Sequence, residues 1–180
     1  MNPDIALERV NYFPGQLLSA SDLKTEQEYF LGRLRRHNRY LHGWGVVSGL
    51  TVSVGNSAEI VITPGVAIDC HGNEIHVCPK LRFPIPNGPK LQFVVIQYAE
   101  TETSPTPALG GSAGPPTGEL SFTRIREGFH IDIIGVDPTS DHRGKGPGTP
   151  GCGRLHQLCL ARLRKSPRSW KVELKGRRRA

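Results

Sequence analysis

The first half of the chain contains one helical pattern of apolar and polar positions. Leu23, Phe30, Leu34 and Leu41 recur at helical spacing over about twenty residues, with polar side chains at the other positions of the stripe. The run Ser19–Asp22 places a hydroxyl three residues before an acid, which is the arrangement of a capping box. Acidic residues lead and arginines follow, as the helix dipole favours. The pattern predicts one N-terminal amphipathic α-helix, closed by a Gly-Trp-Gly step.

The segments around this helix predict how it is held. Residues 1–18 have the composition of an irregular N-terminal arm that ends in a Pro-Gly turn. Aromatic side chains are concentrated in the arm and the helix. We expect them to close the helix onto a β-sheet. These residues are Tyr12, Phe13, Tyr29, Phe30, Tyr40 and Trp44.

After the helix, the apolar positions alternate with a period of two, as in β-strands. Strands are predicted at residues 46–54, 59–63, 66–70, 73–78, 91–98, 122–134, 155–163 and 169–174. Residues 91–98 are the most apolar and predict a central strand, whereas 122–134 divides into two strand-like halves around Glu127 and Gly128. The predicted fold class is mainly β. It is a compact sandwich or barrel of about seven or eight short antiparallel strands, preceded by the helix.

Two segments rich in Gly, Pro, Ser and Thr interrupt the strand pattern. Residues 101–118 and 135–153 predict long exposed loops outside the core. Residues 19–174 therefore predict a single helix-plus-β domain. The arm precedes this domain, and a basic tail at residues 175–180 follows it.

Positive charge is concentrated at the C-terminal end of the chain. The 180 residues include 23 Lys/Arg and 16 Asp/Glu, for a formal net charge of +7. Residues 162–180 hold nine of the basic residues and one of the acids, so residues 1–161 carry a net charge of −1. Trp170 is the only aromatic residue among these charges, which leaves no stacking platform for nucleic acid. The distribution favours an acidic protein partner, with a nucleic-acid-binding tail as an alternative.

The sequence argues against a membrane protein, a secreted protein or an enzyme. No apolar run approaches the ~18 residues of a membrane-spanning helix. The N-terminus is acidic and polar, so we expect no signal peptide, and assembly in the cytoplasm. No G-x-S-x-G, H-E-x-x-H or phosphate-binding glycine motif occurs in the structural context that its chemistry requires. We expect no catalytic residues, because no set of nucleophile, base and stabilising group can be assembled.

Two arginine clusters are candidate partner-binding sites. One lies in the C-terminal half of the helix and the other in the tail: Arg33, Arg35, Arg36 and Arg39, and Arg177, Arg178 and Arg179. A basic helix end can bind phosphates or an acidic protein surface. The alternative is a solvated helix face, on which the arginine stems cover the sheet and the guanidinium groups stay in water.

Cysteine and histidine residues form two clusters with the elements that zinc prefers. The candidate ligands are Cys70, His76, Cys78, Cys152, His156 and Cys159. Zinc in structural sites takes four nitrogen or sulfur ligands. The spacings include no C-x-x-C, and Cys78 and Cys159 also fit small buried residues within strands. We therefore expect no cofactor, with a zinc-stapled protein-binding module as an alternative.

Long stretches of the N-terminal half resemble a family of phage-tail-like proteins. The strongest resemblance lies in Tyr12–Leu23, Glu26–Tyr29 and Arg36–Leu50. Val61–Asp69 and Ser121–Phe129 also match the pattern, so the resemblance covers roughly residues 10–134. Proteins of this family occur among the baseplate or tail-fibre components of phages and contractile injection systems.

The resemblance implies a non-enzymatic structural or adaptor part of a contractile, phage-tail-like particle. Such a protein would dock at or near the baseplate, at spike, wedge or fibre elements. Its partners would be other structural proteins of the particle, with a homo-oligomer also open. The basic residues after Arg162 and the Cys/His clusters depart from the family pattern, so they leave the attachment partner open.

Overall fold

The computed structural model describes residues 7–55, 58–107, 120–138, 156–167 and 169–174. One α-helix, α1 (Ala20–His37), continues into a π-helix (Asn38–His42). Ten strands follow among the described residues: β1 (Gly45–Gly49), β2 (Val52–Val54), β3 (Glu59–Ile62), β4 (Gly65–Ile68), β5 (Glu74–Val77), β6 (Leu81–Pro84), β7 (Leu91–Pro107), β8 (Leu120–Ile134), β9 (Leu158–Lys165) and β10 (Trp170–Glu173). The prediction of a mainly β fold with one N-terminal helix is confirmed.

The strands form three antiparallel sheets around one core. Their orders are β1-β4-β5, β2-β3-β6 and β10-β9-β7-β8. The outer strands of each sheet do not pair with each other among the described residues, so the barrel alternative is wrong. Each sheet turns its apolar face to the shared interior, which is how antiparallel sheets bury a core. Side chains from all three sheets meet there, including Ile62, Ile75, Val77, Ile96 and Leu160.

The strand count is higher than expected for two reasons. The predicted strand 46–54 is divided at Leu50, whose φ of 51° breaks the extended backbone, and its halves β1 and β2 join different sheets. The sequence pattern gives no signal for β6, because prolines within and beside it are typical of turns. β6 pairs with β3 at the edge of its sheet, where proline is tolerated.

The strands β7 and β8 are both longer than their predicted counterparts. β8 is one strand, and Gly128 continues it opposite Ala99 of β7. β7 confirms the predicted central strand but extends to Pro107, so the expected loop at 101–118 begins later than predicted. Cross-strand pairing therefore overrides the composition of this segment. Residues 108–118 of that loop and 139–153 of the second expected loop lie outside the described residues.

Candidate partner-binding surfaces

Polar contacts attach the C-terminal end of α1 to the β-fold. The Arg35 Nε donates to Asn73 Oδ1 at 2.6 Å, and its Nη2 donates to Glu100 Oε1 at 3.3 Å. Asn38 is buried, and its Nδ2 donates to the Gly72 carbonyl oxygen at 2.9 Å. We call this region the junction. It joins the helix to the turn between β4 and β5 and to β7.

The turn between β4 and β5 is shaped for this close contact. Asp69 is fully buried, and its Oδ1 accepts hydrogen bonds from the backbone N–H groups of His71 and Asn73 at 2.8 and 2.9 Å. Gly72 adopts a φ of +94°, and a Cβ at this position would lie 2.2 Å from the Arg35 carbonyl oxygen. Glycine tolerates that backbone angle and has no Cβ, so it permits the helix to approach.

The helix arginines that the sequence suggests for partner binding lie in different environments. Arg39 is only 6% exposed, and its guanidinium carbon lies 5.5 Å from the centre of the Tyr40 ring. Arg35 is part of the junction, and Arg36 is half-buried. Arg33 is exposed, and its Nη1 donates to the Tyr29 hydroxyl at 3.3 Å. Arg33 is therefore the member of the cluster that presents its charge most openly.

The second candidate cluster consists of the tail arginines. Arg177, Arg178 and Arg179 lie outside the described residues.

The apolar stripe of α1 faces away from the β-fold. Leu23, Phe30 and Leu34 are 54%, 59% and 50% exposed, and no residue of α1 is buried. The opposite side of the helix is occupied, because a Cβ on Gly32 would lie 2.9 Å from Leu7 Cδ2 of the arm. The helix thus turns its polar and small residues toward the rest of the chain.

The expectation that aromatic side chains close the helix onto a sheet is therefore wrong for most of them. Trp44 is buried and Tyr29 is half-buried, whereas the others are exposed: Tyr12, Phe13, Phe30 and Tyr40. The physical reason is the junction. Arg35 lies on the side of the helix away from the stripe, and its hydrogen bonds to Asn73 and Glu100 turn the stripe outward.

A second apolar surface extends from the edge of the four-stranded sheet. β9 pairs with β7 as far as Ile96, and further along the described part of β7 pairs with β8 alone. We call Thr101–Pro107 together with Leu120–Arg126 the ribbon. Its exposed apolar residues are Leu120, Phe122 and Ile125.

Two properties distinguish the ribbon from the rest of the sheet. Phe122 and Ile125 are an odd number of residues apart on one strand, so their side chains point to opposite faces. An isolated two-stranded ribbon is marginally stable in water, because it has no second layer against which to bury apolar surface. A partner that encloses both faces would supply that layer.

The candidate zinc ligands of the first cluster lie in different environments. Cys70 is fully buried in the turn between β4 and β5, whereas Cys78 is exposed. The His76 Nε2 lies 3.2 Å from Glu74 Oε2, so this ring nitrogen already has a carboxylate partner. The Glu74 carboxyl is held by His76 and Asn38, and these hydrogen bonds lower its pKa.

The second cluster does not complete a metal site within the described ranges. Cys159 is buried in β9, and burial raises the pKa of its thiol to about 11, which disfavours the thiolate that binds zinc. His156 is half-buried, and Cys152 lies outside the described residues. Among residues 7–174, with the gaps given above, no group of three or more His, Cys, Asp or Glu side chains could hold a metal ion.

In the part of the chain that the structure describes, no helix is both long enough and apolar enough to cross a membrane.

Comparisons with known proteins find similarity at the level of the fold. No family model matches the chain, and no curated protein matches it. The cryo-EM structure of the type VI secretion system TssK–TssF–TssG baseplate subcomplex contains a chain that matches 93% of this one. The TM-score is 0.50 and the sequence identity is 11%. The match covers 60% of the other chain.

Two further solved structures give matches of similar extent. A crystal structure of TssK matches 93% of the chain at a TM-score of 0.48 and 13% identity. The baseplate complex from the type VI secretion system matches 94% at a TM-score of 0.48 and 12% identity. The chain spans 41% of the matched chain in each case.

Proposed function

We propose that this chain is a non-enzymatic structural component of a contractile, phage-tail-like particle, and that it docks at or near the baseplate. The observation that carries the proposal is the fold, because 93% of the chain matches a chain of a type VI secretion baseplate subcomplex at a TM-score of 0.50. The resemblance of residues 10–134 to phage-tail-like proteins points to the same class of particle.

The ribbon is the surface that we assign to docking. Its apolar side chains lie on both faces, and the exposed Arg124 and Arg126 lie beside Phe122 and Ile125 on the same strand. A groove in another baseplate protein, apolar inside and rimmed by carboxylates, would match this pattern. The partner would then bury the apolar side chains and pair the two arginines, which is how interfaces combine an apolar centre with a polar rim.

The basic residues are assigned a supporting role in the same attachment. Arg33 and the tail residues Arg177, Arg178 and Arg179 would bind an acidic surface of the particle. Residues 1–161 carry a net charge of −1, so the net positive charge of the chain resides in residues 162–180. Exposed charges of this kind affect the rate of association and its salt dependence more than the affinity itself.

The test is incorporation into particles purified from cells that express the full-length chain. We expect the Phe122→Ser/Ile125→Ser double variant to fold but to be lost from the particle fraction. Removal of residues 175–180 should reduce incorporation, and more strongly at low salt, because salt screens the attraction between exposed charges. The matched control is Val136→Ser, which removes an exposed apolar side chain outside the ribbon. Wild-type protein that is absent from the particles, or a double variant that enters them normally, contradicts the proposal.

A further inference from the structure

The exposed stripe of α1 follows the spacing of a coiled-coil seam. Its positions are separated alternately by four and three residues. This is the a and d spacing that places the seam residues of α1, Leu23 to His37, against a partner helix; Leu41 follows them in the π-helix. The seam consists of Leu23, Gln27, Phe30, Leu34, His37 and Leu41. All six are exposed, and no second helix of the described chain covers them.

Outward from Gly32, the side-chain types of the seam follow the same order toward both ends of the helix. The nearest members on either side are large and apolar, the next are polar with hydrogen-bonding side chains, and the outermost are leucines. The equivalent pairs are Phe30 with Leu34, Gln27 with His37, and Leu23 with Leu41. In an antiparallel pair related by a two-fold axis, each residue meets its equivalent, because a and d positions face each other in antiparallel coiled coils. Apolar residues then meet apolar residues, and Gln27 meets His37.

The charges along α1 favour the same orientation. The N-terminal half holds three acids, Asp22, Glu26 and Glu28, and one base, Lys24, which pairs with Glu28. The C-terminal half holds only bases, Arg33, Arg35 and Arg36. Antiparallel helices bring the acidic half of one copy beside the basic half of the other, and they align the helix dipoles favourably. A parallel pair would place like charges together.

We propose that α1 is a two-fold interface through which a second copy of this chain pairs with the first in antiparallel orientation. The side of the helix that faces the β-fold and Leu7 is already used, so the seam is the side left for the second copy. A C2 interface is self-complementary, and the palindromic seam meets that requirement with one helix. The proposal does not rest on the baseplate assignment, because pairing is measured on the isolated chain.

The first experiment measures the mass of the full-length protein by light scattering at micromolar concentration. We expect a dimer. The Phe30→Glu/Leu34→Glu double variant should have half that mass, because it places charges in the centre of the seam. Neither residue is buried, so its circular dichroism should match that of the wild type. The control is Leu17→Glu, which alters an apolar side chain of the arm that is 92% exposed. A monomeric or trimeric wild type, or a dimer that survives the double substitution, overturns the proposal.

The second experiment tests the orientation. Leu31 lies at the edge of the seam next to its centre, so two copies of Leu31 approach each other across the axis only in the antiparallel arrangement. In a Cys78→Ser background, Leu31→Cys should form an intermolecular disulfide with itself, identified by mass spectrometry. Leu23→Cys should not, because Leu23 lies far from the axis. A Leu23→Cys self-link without a Leu31→Cys self-link indicates a parallel pair and overturns the proposal.

A third variant uses a repulsive contact that the pairing creates. Arg33 flanks the seam beside the axis, where it meets the Arg33 of the second copy. Like charges at this distance destabilise a helix pair. The Arg33→Gln variant should therefore dimerise several-fold more tightly than the wild type in dilution experiments. Weaker dimerisation of this variant contradicts the predicted register.

Discussion

Gly72 controls how closely the helix approaches the β-fold. Its φ is +94°, and a Cβ would lie 2.2 Å from the Arg35 carbonyl oxygen. We expect Gly72→Ala to lower the free energy of unfolding by about 1–3 kcal/mol, because it strains the turn and separates Arg35 from Asn73. Urea denaturation measures the change.

The control for this prediction is Gly128→Ala. Gly128 lies in an exposed part of β8, and the nearest atom to its notional Cβ is the Ala99 carbonyl oxygen at 4.0 Å. This substitution should leave stability unchanged or raise it slightly, since alanine has less backbone entropy to lose. Equal losses in the two variants would mean that the junction does not depend on a glycine.

His71 makes the junction sensitive to pH. Burial and the positive charges of Arg35 and Arg39 lower its pKa below the ordinary 6.5, and the negative charge of Asp69 opposes this. The folded state therefore binds the proton less readily than the unfolded state does. The contribution of His71 to the free energy of unfolding is therefore complete above the pKa of histidine in the unfolded state. It is lost as the pH falls through about 6.5 and below.

The corresponding variant is His71→Gln, which has no titrating ring. Between about pH 7.5 and pH 5.5, its free energy of unfolding should fall less steeply than that of the wild type. His130→Gln, on an exposed part of β8, serves as the control and should keep the wild-type slope. A His71→Gln variant with an unchanged slope would refute the assignment.

At the scale of elements, α1 depends on local contacts because it buries no residue in the core. The Ser19 side chain accepts from the Asp22 backbone N–H at 3.2 Å, and the Ser19 backbone N–H donates to the Asp22 carboxylate at 2.8 Å. The Ser19 hydroxyl also donates to the Asp22 carboxylate. This bond, followed by the one from the Ser19 backbone N–H, holds the pKa of Asp22 below its usual range. A lost cap costs about 1 kcal/mol, so Ser19→Ala should speed amide exchange in the first turns of α1 by about fivefold.

The exchange experiment also distinguishes local opening from global unfolding. Amides of β7 and β9 should exchange at wild-type rates in Ser19→Ala, because the core of the three sheets does not contain the helix. The control is Leu17→Ala, which changes an exposed side chain that precedes the cap. Uniform acceleration across both helix and sheets would show that α1 is part of the cooperative core.

The elements themselves could be predicted because local chemistry determines them. The capping pattern at Ser19–Asp22 located the start of α1, and period-two alternation located most strands. The orientation of α1 could not be predicted this way. An apolar stripe is ordinarily assumed to face the core of its own chain, whereas here Arg35 on the opposite side and Asn38 just after α1 hold the helix to the β-fold. Those contacts join residues more than thirty positions apart, and nothing in local periodicity reveals them.

The ribbon could not be predicted from its amino-acid composition. Threonine, serine and proline in residues 101–107 are typical of a loop, yet they pair in register with β8 as far as Pro107 and Leu120. The one sequence signal was the alternation of threonine and glutamate after Glu100, which suits a strand exposed to water. The candidate arginines illustrate the same limit, because sequence alone does not separate the exposed Arg33 from the buried Arg39.

At the scale of the whole molecule, one folded core carries two apolar surfaces that the described chain leaves uncovered. We propose that the seam of α1 pairs with a second copy of the chain and that the ribbon docks into a groove of a different protein. Large exposed apolar surfaces of this kind mark interaction sites in soluble proteins. A dimer joined at α1 would present two ribbons to the particle, and bivalent attachment strengthens binding without new contacts.

The central claim is that this chain is a structural part of a contractile-particle baseplate. The most direct measurement is a cryo-EM map of particles purified from cells that make the protein. We expect density for this chain at the baseplate, with Phe122 and Ile125 of the ribbon buried in a neighbouring protein. A map in which the chain is absent from the baseplate, or is present with the ribbon in solvent, would contradict it.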